Sequence, residues 1–100
     1  MIVKQQTKLF EKWFKKLDGI LQDKIAKYID RVLSGNFTNC KPVGDGVNEI
    51  KINYQKGYRV YYTVINKQTV LLLLCGGDKK SQSKDIQLAK DIKKFLEGAK

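Results

Sequence analysis

The spacing of apolar residues changes three times along this chain, and that succession of periods restricts the fold more than any other feature. Up to Leu33 apolar residues recur every three or four positions, from Val47 to Ile65 they alternate, from Val70 to Cys75 they run unbroken, and after Lys80 the helical spacing returns. Repeats of 3.6 and of 2 mark helix and strand respectively. Taken in order they predict one α+β domain over residues 1–100, a sheet packed against helices with a strand first and a helix last. A chain of this length buries one core and not two.

Ile2 and Val3 read as a short first strand ending at Gln5-Gln6-Thr7, and Thr7 as the cap of a helix whose Leu9, Phe10, Trp13, Phe14 and Leu17 share a face. Asp18-Gly19 breaks that helix. A second amphipathic segment follows, with Ile25, Tyr28, Ile29, Val32 and Leu33 facing one way until Ser34-Gly35-Asn36 stops it, so an N-terminal helical hairpin is expected. Strands Val47–Tyr54 and Tyr58–Ile65, joined by Gln55-Lys56-Gly57, lead through Asn66-Lys67-Gln68 into the run Thr69–Cys75, which suits a central strand buried on both sides. This is an antiparallel meander. Ile86, Leu88, Ala89, Ile92, Phe95 and Leu96 form the apolar stripe of a C-terminal helix that closes at Gly98.

Alternation also sorts the strand side chains onto faces. With Ile50, Ile52, Tyr54, Val60, Tyr62 and Val64 toward the core, Lys51, Arg59 and Tyr61 are expected together on one open face. Gly76-Gly77 reads as a tight turn that presents Lys79 and Lys80 at the end of the central strand, near the start of the Arg59 strand if the two pair antiparallel. Here charge enters the argument. The chain carries a net charge of +10, with eleven Lys/Arg against four Asp/Glu in residues 51–100 and nine against six in residues 1–50. Such an excess favours polyanions, because each neutralised phosphate releases condensed counterions.

Arginine, lysine and tyrosine on one face suit RNA: guanidinium binds phosphate through two donors, and an aromatic ring stacks on an unpaired base. The same residues also read as cross-strand pairs, Glu49 with Arg59 or Lys51, which stabilise a sheet by roughly 0.2–1 kcal/mol. No histidine is present, which removes the usual general base and the commonest neutral metal ligand, so no metal or other cofactor is expected. The glycine-lysine run lacks P-loop spacing, which argues against nucleotide hydrolysis. Cys40 and Cys75 fit no CxxC motif and are expected as free thiols. The charged segment after Met1–Lys4 is unlike a signal peptide, and the longest apolar run is too short to span a bilayer, so a cytoplasmic protein with no membrane partner is expected.

Phe10-Glu11-Lys12-Trp13, Gly35-Asn36, Lys41-Pro42-Val43-Gly44-Asp45-Gly46-Val47 before Glu49-Ile50-Lys51-Ile52, Gly57-Tyr58-Arg59-Val60-Tyr61-Tyr62, and Gly76-Gly77-Asp78-Lys79-Lys80-Ser81-Gln82 with Asp85-Ile86 and Ala89 follow one another along nearly the whole chain. In that order they resemble the addiction-module killer, HigB-like phage-derived branch of the RelE/ParE/HigB toxin superfamily. The resemblance implies a type II toxin that cleaves messenger RNA on the ribosome, an antitoxin partner of helix-turn-helix type, and contact with operator DNA through that antitoxin. It places Arg59 at the family's strand arginine, Lys51 at a basic strand position, and Lys79 and Lys80 at the basic turn.

The family's C-terminal catalytic tyrosine has no counterpart, since its nearest position holds Ile86. The candidate catalytic set is therefore Arg59 on the phosphate, one of Lys51, Lys79 or Lys80 as base, and Tyr61 as acid or stacking ring, with Glu49 an alternative base. Gln82 joins Lys51, Arg59, Tyr61, Lys79 and Lys80 as an RNA-binding candidate. A non-nucleolytic inhibitor of DNA gyrase, of the ParE kind with the same fold, is the alternative.

Overall fold

The computed structural model describes residues 3–67 and 70–98. Strand β1 (Val3–Gln6) leads into helices α1 (Lys8–Lys15) and α2 (Gly19–Leu33). Strands β2 (Cys40–Gly44), β3 (Val47–Ile52), β4 (Tyr58–Ile65) and β5 (Val70–Asp78) follow, then a 3-10 turn (Lys79–Ser81) and helix α3 (Gln82–Gly98). All five strands form one sheet in the order β1-β5-β4-β3-β2. The meander from β3 to β5 is antiparallel as expected and β2 adds an antiparallel edge strand that was not expected, whereas β1 lies parallel to β5 at the far edge and makes the sheet mixed.

Local chemistry sets the boundaries. The Thr7 hydroxyl accepts from the Phe10 N–H at 3.0 Å and donates to the Leu74 carbonyl at 2.6 Å, so one residue caps α1 and ties it to β5. Asp18 caps α2 by accepting from the Leu21 N–H at 2.9 Å. Each such cap is worth about 1 kcal/mol. Gly35, at φ +90°, ends α2 in the left-handed region that glycine adopts without a Cβ clash. Strand β1 runs through Gln6, beyond the expected Val3, because an exposed edge strand needs main-chain pairing with β5 and no apolar side chains. Ile2, Gln68 and Thr69 lie outside the described residues. Alternation gave no strand for 40–44; Pro42 fits β2 because an edge position tolerates the missing N–H.

The core has two layers. On one face of the sheet Phe10 of α1 and Leu21, Ile25, Ile29 and Val32 of α2 pack on Ile50, Ile52, Val60, Tyr62, Leu71 and Leu73. On the other, Ala89 of α3, flanked by Ile86 and Ile92, packs on Val47, Tyr61, Leu74 and Cys75. The side chains point to the faces that alternation assigned, yet the second face is not open, because α3 lies across it. Tyr61, Arg59, Glu49 and Thr63 are all buried there. Of the expected α3 stripe, Leu88, Phe95 and Leu96 stay exposed. Cys40 and Cys75 are free, and burial pushes the Cys75 thiol up to about 12.

A bulge in β5 shifts the register between Tyr61↔Cys75 and Tyr62↔Leu73, leaving Leu74 as the extra residue. Leu74 and Cys75 then both face α3, and the glycines that follow are re-aimed. Gly76-Gly77 is therefore strand and not the expected turn. A Cβ on Gly76 would overlap the Trp13 ring, and one on Gly77 the Asp85 carboxylate. Close approach, not chain reversal, favours glycine at both positions, most strictly at Gly76.

Candidate functional site

Register brings the basic residues together. Lys51 sits opposite Arg59 on the β3–β4 pair, while β5 sets Gly77 opposite Arg59 and Asp78 opposite Tyr58. The Lys79 N–H then donates to the Gly57 carbonyl at 3.0 Å, which fixes the 3-10 turn beside the β3–β4 loop. A cleft of about 590 Å³ results, lined by Lys51, Asn53, Tyr54, Lys56, Arg59 and Lys79 among others. A second, of about 350 Å³, is lined by Thr38, Asn39, Lys41 and Glu49, and shares Lys51 and Arg59 with the first. These two cations thus belong to both clefts.

Arg59 is the unusual member. It is only 6% exposed, its Nε lies 3.7 Å from Glu49 Oε2, and Nε and Nη1 have no hydrogen-bond partner. Buried donors almost always find an acceptor, and a buried guanidinium whose charge is only partly offset, at the wall of a cleft, is suited to an incoming anion. Glu49 beneath it is 1% exposed. Its carboxylate accepts from Gln82 Nε2 at 2.9 Å and lies 3.8 Å from Lys41 Nζ. Held in this way and shut off from solvent, it is not placed to serve as a base.

Among the residues expected at the site, Lys51, Arg59 and Lys79 converge on the cleft. Lys80 is exposed on the 3-10 turn, its N–H bound to Asp78 Oδ1 at 2.9 Å, and does not line the cleft. Gln82 points under the sheet to Glu49. Tyr61 requires a correction: it is fully buried beneath α3, its hydroxyl has no hydrogen-bond partner, and burial together with the neighbouring Glu49 carboxylate raises its pKa far above the ordinary phenol value. It can neither stack on a base nor donate a proton to one.

The aromatic ring that does line the cleft is Tyr54, with Lys24 Nζ 5.0 Å from its centroid. Lys56, paired with Asp78 at 3.3 Å, is a further cation there. Both fall on the segment that sequence patterning treated as core and turn. The lysine within Gln55-Lys56-Gly57 was the available signal.

Asp85, in the first turn of α3, accepts a hydrogen bond from the Ser81 hydroxyl under Gly77. Burial raises its pKa and Asp78 adds to the rise, against the lowering by Ser81. The folded state therefore holds this proton more tightly than the unfolded chain, so the stability linked to it is full below the unfolded carboxylate value and is lost as pH rises through the folded one. Asp85→Asn, which cannot ionise, should gain in melting temperature relative to the parent between pH 4 and pH 7. A constant difference across that range would contradict it.

The sequence matches the family described as phage derived protein Gp49-like over residues 12–94. It is 45% identical over 86 residues to a protein of Haemophilus influenzae described only as uncharacterized, covering 84% of this chain and 85% of that one. In structure it is similar to a free-state mutant of the E. coli toxin RelE, with a TM-score of 0.73 at 20% identity over 91% of this chain and 97% of that one. It is also similar to a chain of the intact E. coli RelBE toxin-antitoxin complex (TM-score 0.67, 21% identity, 78% and 96% covered). A third likeness is to a chain of the RelBE2 toxin-antitoxin complex of Mycobacterium tuberculosis (TM-score 0.61, 16% identity, 78% and 98% covered). With β1, the helical hairpin, the meander and α3 in the same arrangement, the fold is RelE-like, and the chain belongs to the phage-derived Gp49-like family.

Proposed function

We propose that this protein is the toxin of a type II toxin-antitoxin pair, which binds messenger RNA in the cleft around Arg59 and cleaves it on the ribosome. The observation that carries the reading is the buried Arg59 guanidinium, with Nε and Nη1 unpartnered, at the wall of a cleft that also holds Lys51, Lys56 and Lys79. The complexes in which similar folds are seen support an antitoxin partner, taken here to be a helix-turn-helix protein that carries the toxin to operator DNA in the cytoplasm.

The reaction needs the 2′-hydroxyl to attack its own phosphate in line, forming a 2′,3′-cyclic phosphate as the bond to the 5′-oxygen breaks, a group to take the hydroxyl proton, positive charge on the non-bridging oxygens, and a proton for the departing 5′-oxygen, which solvent can supply. Arg59 supplies that charge, because guanidinium stays protonated and offers paired donors. Lys51 on β3 and Lys79 on the 3-10 turn line one cleft, and whichever of them has given up its own proton takes that of the 2′-hydroxyl, while Tyr54 replaces Tyr61 as the ring for an unpaired base. The ribosome supplies much of the attack geometry, which is itself a large part of the barrier. Activity on naked RNA is then weak.

Sequencing the 5′ ends of transcripts after induction tests the reading. New ends aligned with codons are expected; intact transcripts accompanied by broken DNA would replace it with gyrase inhibition.

A further inference from the structure

We propose that Glu49 is a positioning residue for Arg59: anchored by Gln82 from the start of α3, its buried carboxylate holds the guanidinium at the wall shared by the two clefts. The proposal rests on the reading that Arg59 binds RNA phosphate. Four facts support it. Glu49 lies opposite Tyr61 in the β3–β4 register, not opposite Arg59, so the Glu49–Arg59 contact is diagonal and depends on side-chain placement rather than on strand pairing alone. Both side chains are shut off from water, with 2% and 7% exposed, in a position between sheet and helix that an apolar residue would fill at lower cost. The anchor comes from a different element, 33 residues along the chain, through a hydrogen bond of 2.9 Å. Finally, the Arg59–Glu49 contact of 3.7 Å is an ion pair without a hydrogen bond and the buried Nε and Nη1 carry no other partner, so charge alone orients the guanidinium on this side while Arg59 still lines both clefts.

A carboxylate beside a phosphate site repels the phosphate, and this gives the proposal a sign. If Glu49 were only a bystander charge, neutralising it would tighten RNA binding. If it positions Arg59, neutralising it loosens binding, because a guanidinium on a flexible stem loses its fixed direction. Glu49 itself touches no substrate, being 1% exposed.

The test has two arms, run on the full chain. Arg31 and Arg59 are the only arginines, so the NMR spectrum of arginine Nε–H groups holds two signals, and Arg31, exposed over the Tyr28 ring, is told apart by its rapid solvent exchange. In E49Q and in Q82A the Arg59 signal is expected to shift toward that of Arg31 and to exchange faster, with cooperative melting retained. In the second arm, a short labelled single-stranded RNA is expected to bind E49Q about tenfold more weakly than the parent, the effect of one charged hydrogen bond. The same substitution in an R59A background should change nothing further.

Tighter RNA binding by E49Q, or an unmoved Arg59 signal in both variants, overturns the proposal. So does an E49Q effect of equal size with and without Arg59, which would mark a structural role. Should R59A alone bind RNA as the parent does, the phosphate reading fails and with it the purpose assigned to Glu49. The NMR arm still reports separately whether Glu49 holds the guanidinium.

Discussion

Arg59→Ala is expected to abolish growth arrest on induction, the largest functional loss of any single substitution in the chain. The guanidinium is the one cation of the cleft that is both buried and short of acceptors, so an anion placed there meets it without the screening that water gives the exposed Lys51 and Lys79. Removing one such preorganised donor costs on the order of 10²–10³ in rate where charge develops on oxygen. Arg59→Lys should recover little, because an ammonium is a point charge on a shorter stem and cannot present paired donors. Alanine also strands Glu49, whose other cation, Lys41, is 3.8 Å away and largely exposed. Breaking a buried pair costs about 3–5 kcal/mol, here toward the low end because Gln82 still donates to the carboxylate. The double variant E49Q/R59A removes the stranded charge and should regain most of that stability, seen as a recovered urea midpoint, while remaining harmless to the cell. Growth arrest at the parental level by Arg59→Ala would place the site elsewhere.

The faces of the strands were legible in the sequence and their exposure was not. Alternation assigned Ile50, Ile52, Val60 and Tyr62 to one side and Glu49, Lys51, Arg59 and Tyr61 to the other, and the structure has them so. Alternation is a property of one strand, whereas exposure depends on what a distant helix covers. The clue lay in the next strand: Leu72 and Leu74 face the same side as Tyr61, and a β5 apolar on both faces implies that its neighbour β4 is covered too. Polar Arg59 and Glu49 concealed this, because a charged residue on a strand is ordinarily solvated. The Glu49–Arg59 pair was among those the strands offered, but a cross-strand pair carries no sign of the helix that buries it.

The cleft was half legible for a related reason. Lys51, Arg59 and Lys79 meet because antiparallel pairing of β3, β4 and β5 puts their ends together, which spacing alone predicts. Lys80 and Gln82 follow Lys79 in sequence but turn away from it, since three residues of 3-10 helix point successive side chains about a third of a turn apart. Tyr54 was hidden by its own alternation: it follows β3 on the core side, packs partly on the main core, and still lines the cleft. Such a ring contributes to both, and a binary pattern assigns it to one.

Gly76→Ala should be among the most damaging substitutions by stability, though it adds only one carbon and touches no candidate site residue. Gly76 has no positive φ and lies in regular strand, opposite Val60, so backbone freedom does not explain it. The bulge at Leu74 has turned this position toward α1, where a Cβ would meet three carbons of the Trp13 ring. That ring cannot swing aside freely, being half-buried, packed against the first core layer and set beside Phe10, 5.8 Å between centroids. Either the indole leaves its place or β5 shifts, and overpacking of this kind costs about 1–3 kcal/mol, with more expected where a rigid aromatic meets main chain. Gly77→Ala meets instead the end of a carboxylate, Asp85, which can rotate away at the cost of its bond from Ser81. The two alanines are thus expected to differ, with Gly76→Ala the lower in urea midpoint and the only one to change the fluorescence of the single tryptophan. Equal midpoints would mean that the bulge does not hold its register in solution, and the same register is what sets Gly77 opposite Arg59.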